Sequence, residues 1–125
     1  MNVRTTREVF EDHLDLAQRG DLETDIERNF AQDCVLLTGY GVFRGHQGVR
    51  EAAELLDNQL GKVQYIYSNR LWHEEVAFLE WSAEYGRACI EDGADSYWVR
   101  DGFIRVMTIH YTVREKAPGE YDTGG

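Results

Sequence analysis

The spacing of apolar residues near the start of the chain predicts two short helices joined by a tight corner. Apolar side chains and His13 recur at three- and four-residue intervals within Thr6–Arg19, as one face of a helix requires. Gly20 follows, and glycine commonly ends a helix because it adopts the left-handed conformation without penalty. Asp21 is a typical N-cap for a second helix that reaches about Phe30. The two helices are expected to form an αα-hairpin.

The pattern changes from helical to β after Asp33. Residues Cys34–Thr38 are apolar and partly β-branched, which is typical of a strand. Closely spaced glycines then predict a loop, and the apolar spacing of Gln47–Leu60 predicts a third helix. Four further strands are predicted, at Val63–Trp72, Val76–Tyr85, Ala88–Val99 and Phe103–Arg114.

Two glycine-containing pairs lie within the strand-rich half of the chain. Asp101-Gly102 is a strong signal for a tight hairpin between the last two predicted strands. Asp92-Gly93 interrupts the strand before it, and is compatible either with a true turn or with a bulge in one long strand.

The order α-α-β-α-β-β-β-β predicts the α+β class, with the helices on one face of an antiparallel sheet. A meander of four long strands will twist and curve, and a curved sheet closed by a helix leaves a concave interior. We expect one domain over residues 1–114. Residues 115–125 contain Pro118, the only proline, and three of the twelve glycines, so a disordered tail is expected there.

The charge of the chain excludes one class of partner. Its 23 acidic residues outnumber its 13 Lys and Arg residues and give a net charge of −10, so a nucleic-acid backbone would be repelled. No apolar run approaches the roughly 20 residues of a membrane span, and the start has no segment of signal-peptide type. We therefore expect a cytoplasmic protein that binds neither nucleic acid nor membrane.

The residues that commonly bind metals show no suitable spacing. Cys34 and Cys89 stand apart, and are expected to be buried reduced thiols. The four histidines form no HxH or HExxH pattern, so no metal site and no cofactor are expected.

Local sequences along most of the chain, up to about Val113, resemble a known superfamily. The stretches that carry the likeness are Ala17–Asp21, Phe30–Val35, Phe43–Arg50 and Asp95–Ile104. In order and spacing they resemble the nuclear transport factor two-like superfamily, and within it the SnoaL-like proteins. The resemblance implies a cystatin-like cone, in which a curved antiparallel sheet wraps around the long N-terminal helix and encloses a pocket. The superfamily includes isomerases, polyketide cyclases, epoxide hydrolases, dehydratases and non-catalytic members, so the fold does not decide activity.

A more distant similarity to ketosteroid isomerase can be followed residue by residue. The tyrosine that donates to the oxyanion in that family is replaced here by His13, and its second donor matches Asp95. The spacing from Asp95 back to the Gly86-Arg87 corner is the same, which favours a bulge at Asp92-Gly93. The catalytic aspartate of that family falls on Thr38, which cannot act as a base. Ketosteroid isomerase activity is therefore not expected.

His13 and Asp95 are the candidate catalytic residues. His13 lies in the apolar stripe of the first helix and should point inward, where an unpartnered imidazole would cost roughly 1–3 kcal/mol. Convergence with Asp95 would make a general acid/base pair, because the carboxylate supports the protonated ring. The alternative is a satisfied buried pair that only orients the core.

Strand alternation predicts the residues that would bind a substrate, provided that Asp95 points inward. These are Thr38, Tyr40, Leu79, Trp81, Tyr97, Met107, Ile109 and Tyr111. They are aromatic and sparingly polar, as small-molecule pockets are. The alternative is that these side chains simply fill the core.

The opposite, convex face of the sheet is expected to meet a second copy of the chain. The same register places Ile104, Val106 and Thr108 there, which is more apolar than a solvated face needs. His110 would lie on this face too, although a bulge of one residue would turn it toward the pocket. The resemblance also favours a homodimer at this face.

Two functions remain open. The first is a cofactor-independent isomerase, cyclase, dehydratase or hydrolase that transfers protons with His13 and Asp95. Its substrate would be small, apolar and oxygenated, such as a polyketide-like or steroid-like molecule. The second is a non-catalytic module that binds a ligand or only dimerises. An open cavity of about 300 Å³ or more at His13 and Asp95 would favour the first.

Overall fold

The computed structural model describes residues 3–117 and residue 119. Its helices are α1 (Thr6–Arg19), α2 (Leu22–Asn29) and α3 (Gly45–Leu60). Its strands are β1 (Phe30–Thr38), β2 (Gly41–Arg44), β3 (Tyr65–His73), β4 (Val76–Tyr85), β5 (Ala88–Arg100), β6 (Phe103–His110) and β7 (Arg114–Glu115). The predicted α+β class and the order of the main elements are confirmed.

Local capping sets the ends of α1. The side chain of Thr5 accepts from the backbone N–H of Glu8, whose carboxylate accepts from the backbone N–H of Thr5 in turn. Gly20 ends the helix with a φ of 74°, and its N–H donates to the carbonyls of Leu16 and Ala17. The predicted bounds Thr6–Arg19 are therefore confirmed.

One curved, unclosed sheet contains the strands in the order β2-β1-β6-β5-β4-β3, and β7 pairs with β5. The predicted antiparallel meander is confirmed in β3 to β6, and β1 adds to its edge in parallel with β6, a pairing that was not predicted. The glycine-rich segment predicted as a loop also contains a strand, β2, which pairs with β1. This pairing gives partners to main-chain groups along β1 that would otherwise lie at a sheet edge.

Bulges in β5 and β6 decide which of their side chains point into the concave face. Trp81 pairs with Gly93 and Ala83 with Ile90, so β5 has one extra residue there. Asp92-Gly93 is thus a bulge in a continuous strand, as the resemblance favoured. In β6 a second extra residue falls between Ile104 and Val106. Ile104 is fully buried, so its expected place on the convex face was wrong: the inserted residue reverses the alternation.

The first helix packs along the concave face against β3, β4 and β5. Its Phe10 ring lies 5.2 Å from the Tyr97 ring, centroid to centroid, within the core. Cys34 and Cys89 are free and buried, as expected. No helix in the described part of the chain is long and apolar enough to cross a membrane.

The last predicted strand is shorter than expected, because β6 ends at His110 rather than at Arg114. Glu115, at the start of the predicted tail, pairs instead with Ala88. Pro118 and residues 120–125 lie outside the described residues, so the tail and the domain boundary at 114 stay predictions.

Candidate functional site

A cavity of about 450 Å³ lies between the helices and the concave face of the sheet. It reaches the surface, since Tyr40, Lys62 and Gln64 line it and are exposed. Nine of the ten residues predicted for the site contribute to the lining: His13, Thr38, Tyr40, Leu79, Trp81, Asp95, Tyr97, Ile109 and Tyr111. The tenth, Met107, is buried between Leu36 and Tyr97 in the sheet and belongs to the core instead.

His13 is bound by a carboxylate that the sequence analysis missed. Its Nδ1 lies 2.7 Å from Oδ2 of Asp25, and both side chains are almost completely buried. The αα-hairpin brings α2 against α1 and so places the two residues side by side. The carboxylate that bonds to His13 is therefore Asp25 and not Asp95, although His13 and Asp95 line the same cavity. The missed signal is that Asp25 shares the apolar face of α2 with Leu22 and Ile26.

Asp25 is held in turn by a polar network that leads to the surface. Its Oδ1 accepts from Nδ2 of Asn29 at 2.9 Å. Asn29 is fully buried; its amide also donates to Asp12, and its Oδ1 accepts from Arg4 at 2.8 Å. With these partners in place, the carboxylate of Asp25 is fixed toward the imidazole.

The environment of His13 favours its charged form. Burial lowers the pKa of the imidazole, but the charge of Asp25, its hydrogen bond and the charge of Asp95 together outweigh burial and raise the pKa. Within the described residues no protein group bonds to Nε2, and this nitrogen is not fully enclosed. His13 lines the cavity, and Nε2 is the ring nitrogen that Asp25 does not occupy.

Asp95 is the second titratable group of the cavity. Its Oδ1 accepts from Nε1 of Trp81 at 3.0 Å, and its Oδ2 accepts from the hydroxyl of Tyr97 at 3.1 Å. Burial raises the pKa of this carboxyl to about 6, although both hydrogen bonds and the charge of His13 act in the opposite direction. Asp95 therefore exchanges a proton close to neutral pH.

Aromatic side chains form much of the wall around Asp95. The Trp81 ring contacts the rings of Tyr65 and Tyr111, whose centroids lie 5.4 and 5.9 Å away. Burial raises the pKa of both tyrosines to about 12, so both are neutral. Tyr65 and Tyr67 were not predicted as lining residues, although their alternation with Ile66 and Ser68 along β3 was a usable signal.

Two of the residues singled out in the sequence contribute no acid or base to the cavity. The hydroxyl of Thr38 accepts from the backbone N–H of Tyr40 and donates to the carbonyl of Gly41, so it stabilises a turn. His110 is exposed on the other face, 3.4 Å from Asp92. Across the described residues, no group of three or more potential ligands is arranged to hold a metal ion.

Comparison with known proteins supports the fold rather than a particular activity. No protein-family model matches the chain, and no curated protein matches it significantly. Among solved structures, a candidate ketosteroid isomerase from Kribbella flavida has a TM-score of 0.73 at 17% identity, covering 93% of this chain and 85% of its own. An NTF2-like protein of unknown function from Burkholderia xenovorans has a TM-score of 0.71 at 16% identity, covering 91% and 88%.

A third neighbour is a candidate SnoaL-like polyketide cyclase from Mesorhizobium loti. Its TM-score is 0.63 at 15% identity, and the match covers 86% of this chain and all of that one. The cavity of the present protein lies inside the architecture that these structures share. The chain therefore has the fold of the NTF2-like, ketosteroid isomerase-like and SnoaL-like proteins, also described as cystatin-like.

Proposed function

We propose that the cavity catalyses cofactor-independent proton transfer on a small, mostly apolar, oxygenated molecule. The observation that carries this proposal is the presence of two titratable groups in one cavity: an imidazole whose pKa is raised by Asp25 and whose Nε2 has no partner among the described residues, and a carboxyl whose pKa is about 6. A base is most effective when its pKa lies near the working pH, and a donor is most effective where water is excluded.

In the proposed reaction, Asp95 removes a proton from a carbon next to a carbonyl group. The C–H electron pair becomes a C=C bond, and the carbonyl oxygen takes the negative charge. His13 donates from Nε2 to that oxygen, while Asp25 stabilises the imidazolium through Nδ1. Return of the proton to a different carbon would complete an isomerisation. Attack of the enolate on a second carbonyl forms an alkoxide, and transfer of the proton from Asp95 to that alkoxide would complete a cyclisation.

This assignment gives Asp95 the role that Thr38 cannot fill. The carboxylate oxygens already accept from Trp81 and Tyr97, which orient the carboxylate and leave each oxygen with further acceptor capacity. The apolar walls suit a hydrophobic substrate, and the volume of about 450 Å³ lies in the range of small-molecule sites. The fold shared with ketosteroid isomerase-like and SnoaL-like structures is compatible with such a substrate.

Exchange of carbon-bound hydrogen for deuterium tests the proposal without knowledge of the natural substrate. A panel of cyclic ketones and 1,3-diketones in D₂O is incubated with the protein, and loss of the α-proton signal is followed by NMR. We expect Asp95→Asn to reduce the enzyme-dependent rate at least about 100-fold, and His13→Gln to reduce it by a similar factor. Glu51→Gln, an exposed acid-to-amide change on α3, serves as the control.

The rate should rise as the pH increases through about 6, where Asp95 ionises, and fall as His13 loses its proton at higher pH. Enzyme-dependent exchange that survives Asp95→Asn would contradict the proposed base. Tight binding of panel compounds with no accelerated exchange would favour non-catalytic ligand binding. That second function is supported by the protein partners that Asp95 already has for both oxygens.

The same chain is proposed to form a homodimer through the convex face of the sheet, and to act in the cytoplasm. Cross-strand pairing aligns four apolar residues in a row on that face: Val35, Val106, Trp98 and Val76. Trp98 and Val76 are exposed in the single chain, and their burial against a second copy would remove apolar surface from water.

A further inference from the structure

Gly93 lies beneath the indole of Trp81 in the concave face of the sheet. The two residues are direct partners across β4 and β5, and both are buried. A Cβ atom at Gly93 would lie 2.7 Å from Nε1 of Trp81, and closer still to Cδ2 and Cε2 of the same ring. The backbone of Gly93 is not in the left-handed region, so the contact, and not the conformation, requires glycine.

The bulge in β5 accounts for this contact. One extra residue between Ile90 and Gly93 shifts the register, and brings Gly93 opposite Trp81. Asp95 follows two residues later and therefore points to the same face as Gly93. The same short segment of β5 therefore positions both Asp95 and the glycine beneath its indole donor.

The indole has little freedom to move away and keep its hydrogen bond. The rings of Tyr65 and Tyr111 both pack against it, and Nε1 donates to Oδ1 of Asp95 at 3.0 Å. Any side chain at Gly93 would displace the ring away from β5, toward the open cavity. Because hydrogen bonds weaken steeply with distance and angle, Asp95 would lose its hydrogen bond from the indole N–H.

We propose that Gly93 is a positioning residue of the site: the absence of a side chain there lets the indole of Trp81 lie flat against β5, where Nε1 donates to Asp95. The role of Asp95 as base rests on the proposed function, whereas the contact between Gly93, Trp81 and Asp95 does not. A hydrogen bond from Trp81 favours the ionised carboxylate, so its loss raises the pKa of Asp95.

The test is a carboxyl ¹³C NMR titration of Asp95 in the free protein, with wild type, Gly93→Ala, Trp81→Phe and the double variant. Trp81→Phe removes the donor, and we expect it to raise the titration midpoint by roughly 1 to 2 pH units. Gly93→Ala should also raise the titration midpoint of Asp95. The double variant should match Trp81→Phe alone, because Gly93 acts through the indole N–H.

Val99→Ala is the matched control, since it removes buried volume from β5 six residues away, outside the cavity lining. It should lower stability and leave the Asp95 midpoint unchanged. An unchanged midpoint in Gly93→Ala, or shifts that add in the double variant, would overturn the proposal.

Gly93→Ala could fail to fold, and a rescue experiment covers that outcome. In Trp81→Leu the flat ring is replaced by a smaller side chain, so Gly93→Ala should be accepted in this background. A double variant that also fails to fold would show that Gly93 is needed for a reason other than Trp81. The titration uses no substrate, so wild-type protein without exchange activity would refute the proposed function and leave this test intact.

Discussion

Replacing Asp25 by asparagine removes the buried charge that lies 2.7 Å from Nδ1 of His13. With about 4 Å between the charge centres and an effective dielectric constant of about 20, their attraction is about 4 kcal/mol. Removal of one partner from a buried ion pair typically lowers the free energy of unfolding by about 3–5 kcal/mol, which agrees with this attraction. Without Asp25, the two largest effects that raise the pKa of His13 are lost while burial still lowers it, so we expect the pKa of His13 to fall.

The pH dependence of this effect has a defined sign. The pKa of His13 is raised above 6.5 in the folded protein, so the stabilisation by protonation is fully present below pH 6.5 and is lost as the pH rises through the folded value. Asp25→Asn should therefore lower the free energy of unfolding by about 3 kcal/mol at pH 5.5, and by much less at pH 9.

Urea unfolding at pH 5.5 and pH 9 measures the two changes in the free energy of unfolding, and an NMR titration of His13 measures its pKa. Asp15→Asn is the control, because its ion pair with Arg19 is exposed and contributes about 0.5 kcal/mol or less. Equal destabilisation at pH 5.5 and pH 9, or an unchanged pKa of His13, would refute a charged His13–Asp25 pair.

Two other substitutions give separate tests. The pKa of Asp95 is about 6 in the folded protein against an ordinary value of 3.8, so its ionisation costs about 3 kcal/mol of folding stability above pH 6. Asp95→Asn should therefore stabilise the protein at pH 7.5 while it reduces the exchange rate, and a loss of stability there would contradict the burial argument. Trp98→Glu on the convex face should weaken self-association about tenfold or more in sedimentation equilibrium, and a wild-type protein that is monomeric at every concentration would reject the homodimer.

Much of the candidate site could be predicted because its residues lie in regular elements. His13 belongs to the apolar stripe of α1, and Asp95 shares one face of β5 with Tyr97. Alternation along neighbouring strands then predicted most of the residues that line the cavity. The prediction that Met107 lines the cavity was wrong. Alternation places a side chain on one face of the sheet, but does not say whether it reaches a cavity or is covered by its neighbours.

The amino-acid sequence by itself determined the features that depend on neighbours in the chain. The ends of α1 follow from Thr5, Glu8 and Gly20, which bond within a few residues, and the hairpin at Asp101-Gly102 follows from two positive φ angles.

Only the tertiary structure decided the features that depend on distant contacts. The parallel pairing of β1 with β6 joins segments about 70 residues apart, and no local pattern encodes its direction. One inserted residue in β6 reverses the alternation, so the side chain of Ile104 points into the core. The partner of His13 was decided in the same way. A buried imidazole needs a hydrogen-bond partner, but the packing of α2 on α1 selected Asp25 and left Asp95 as the second titratable group.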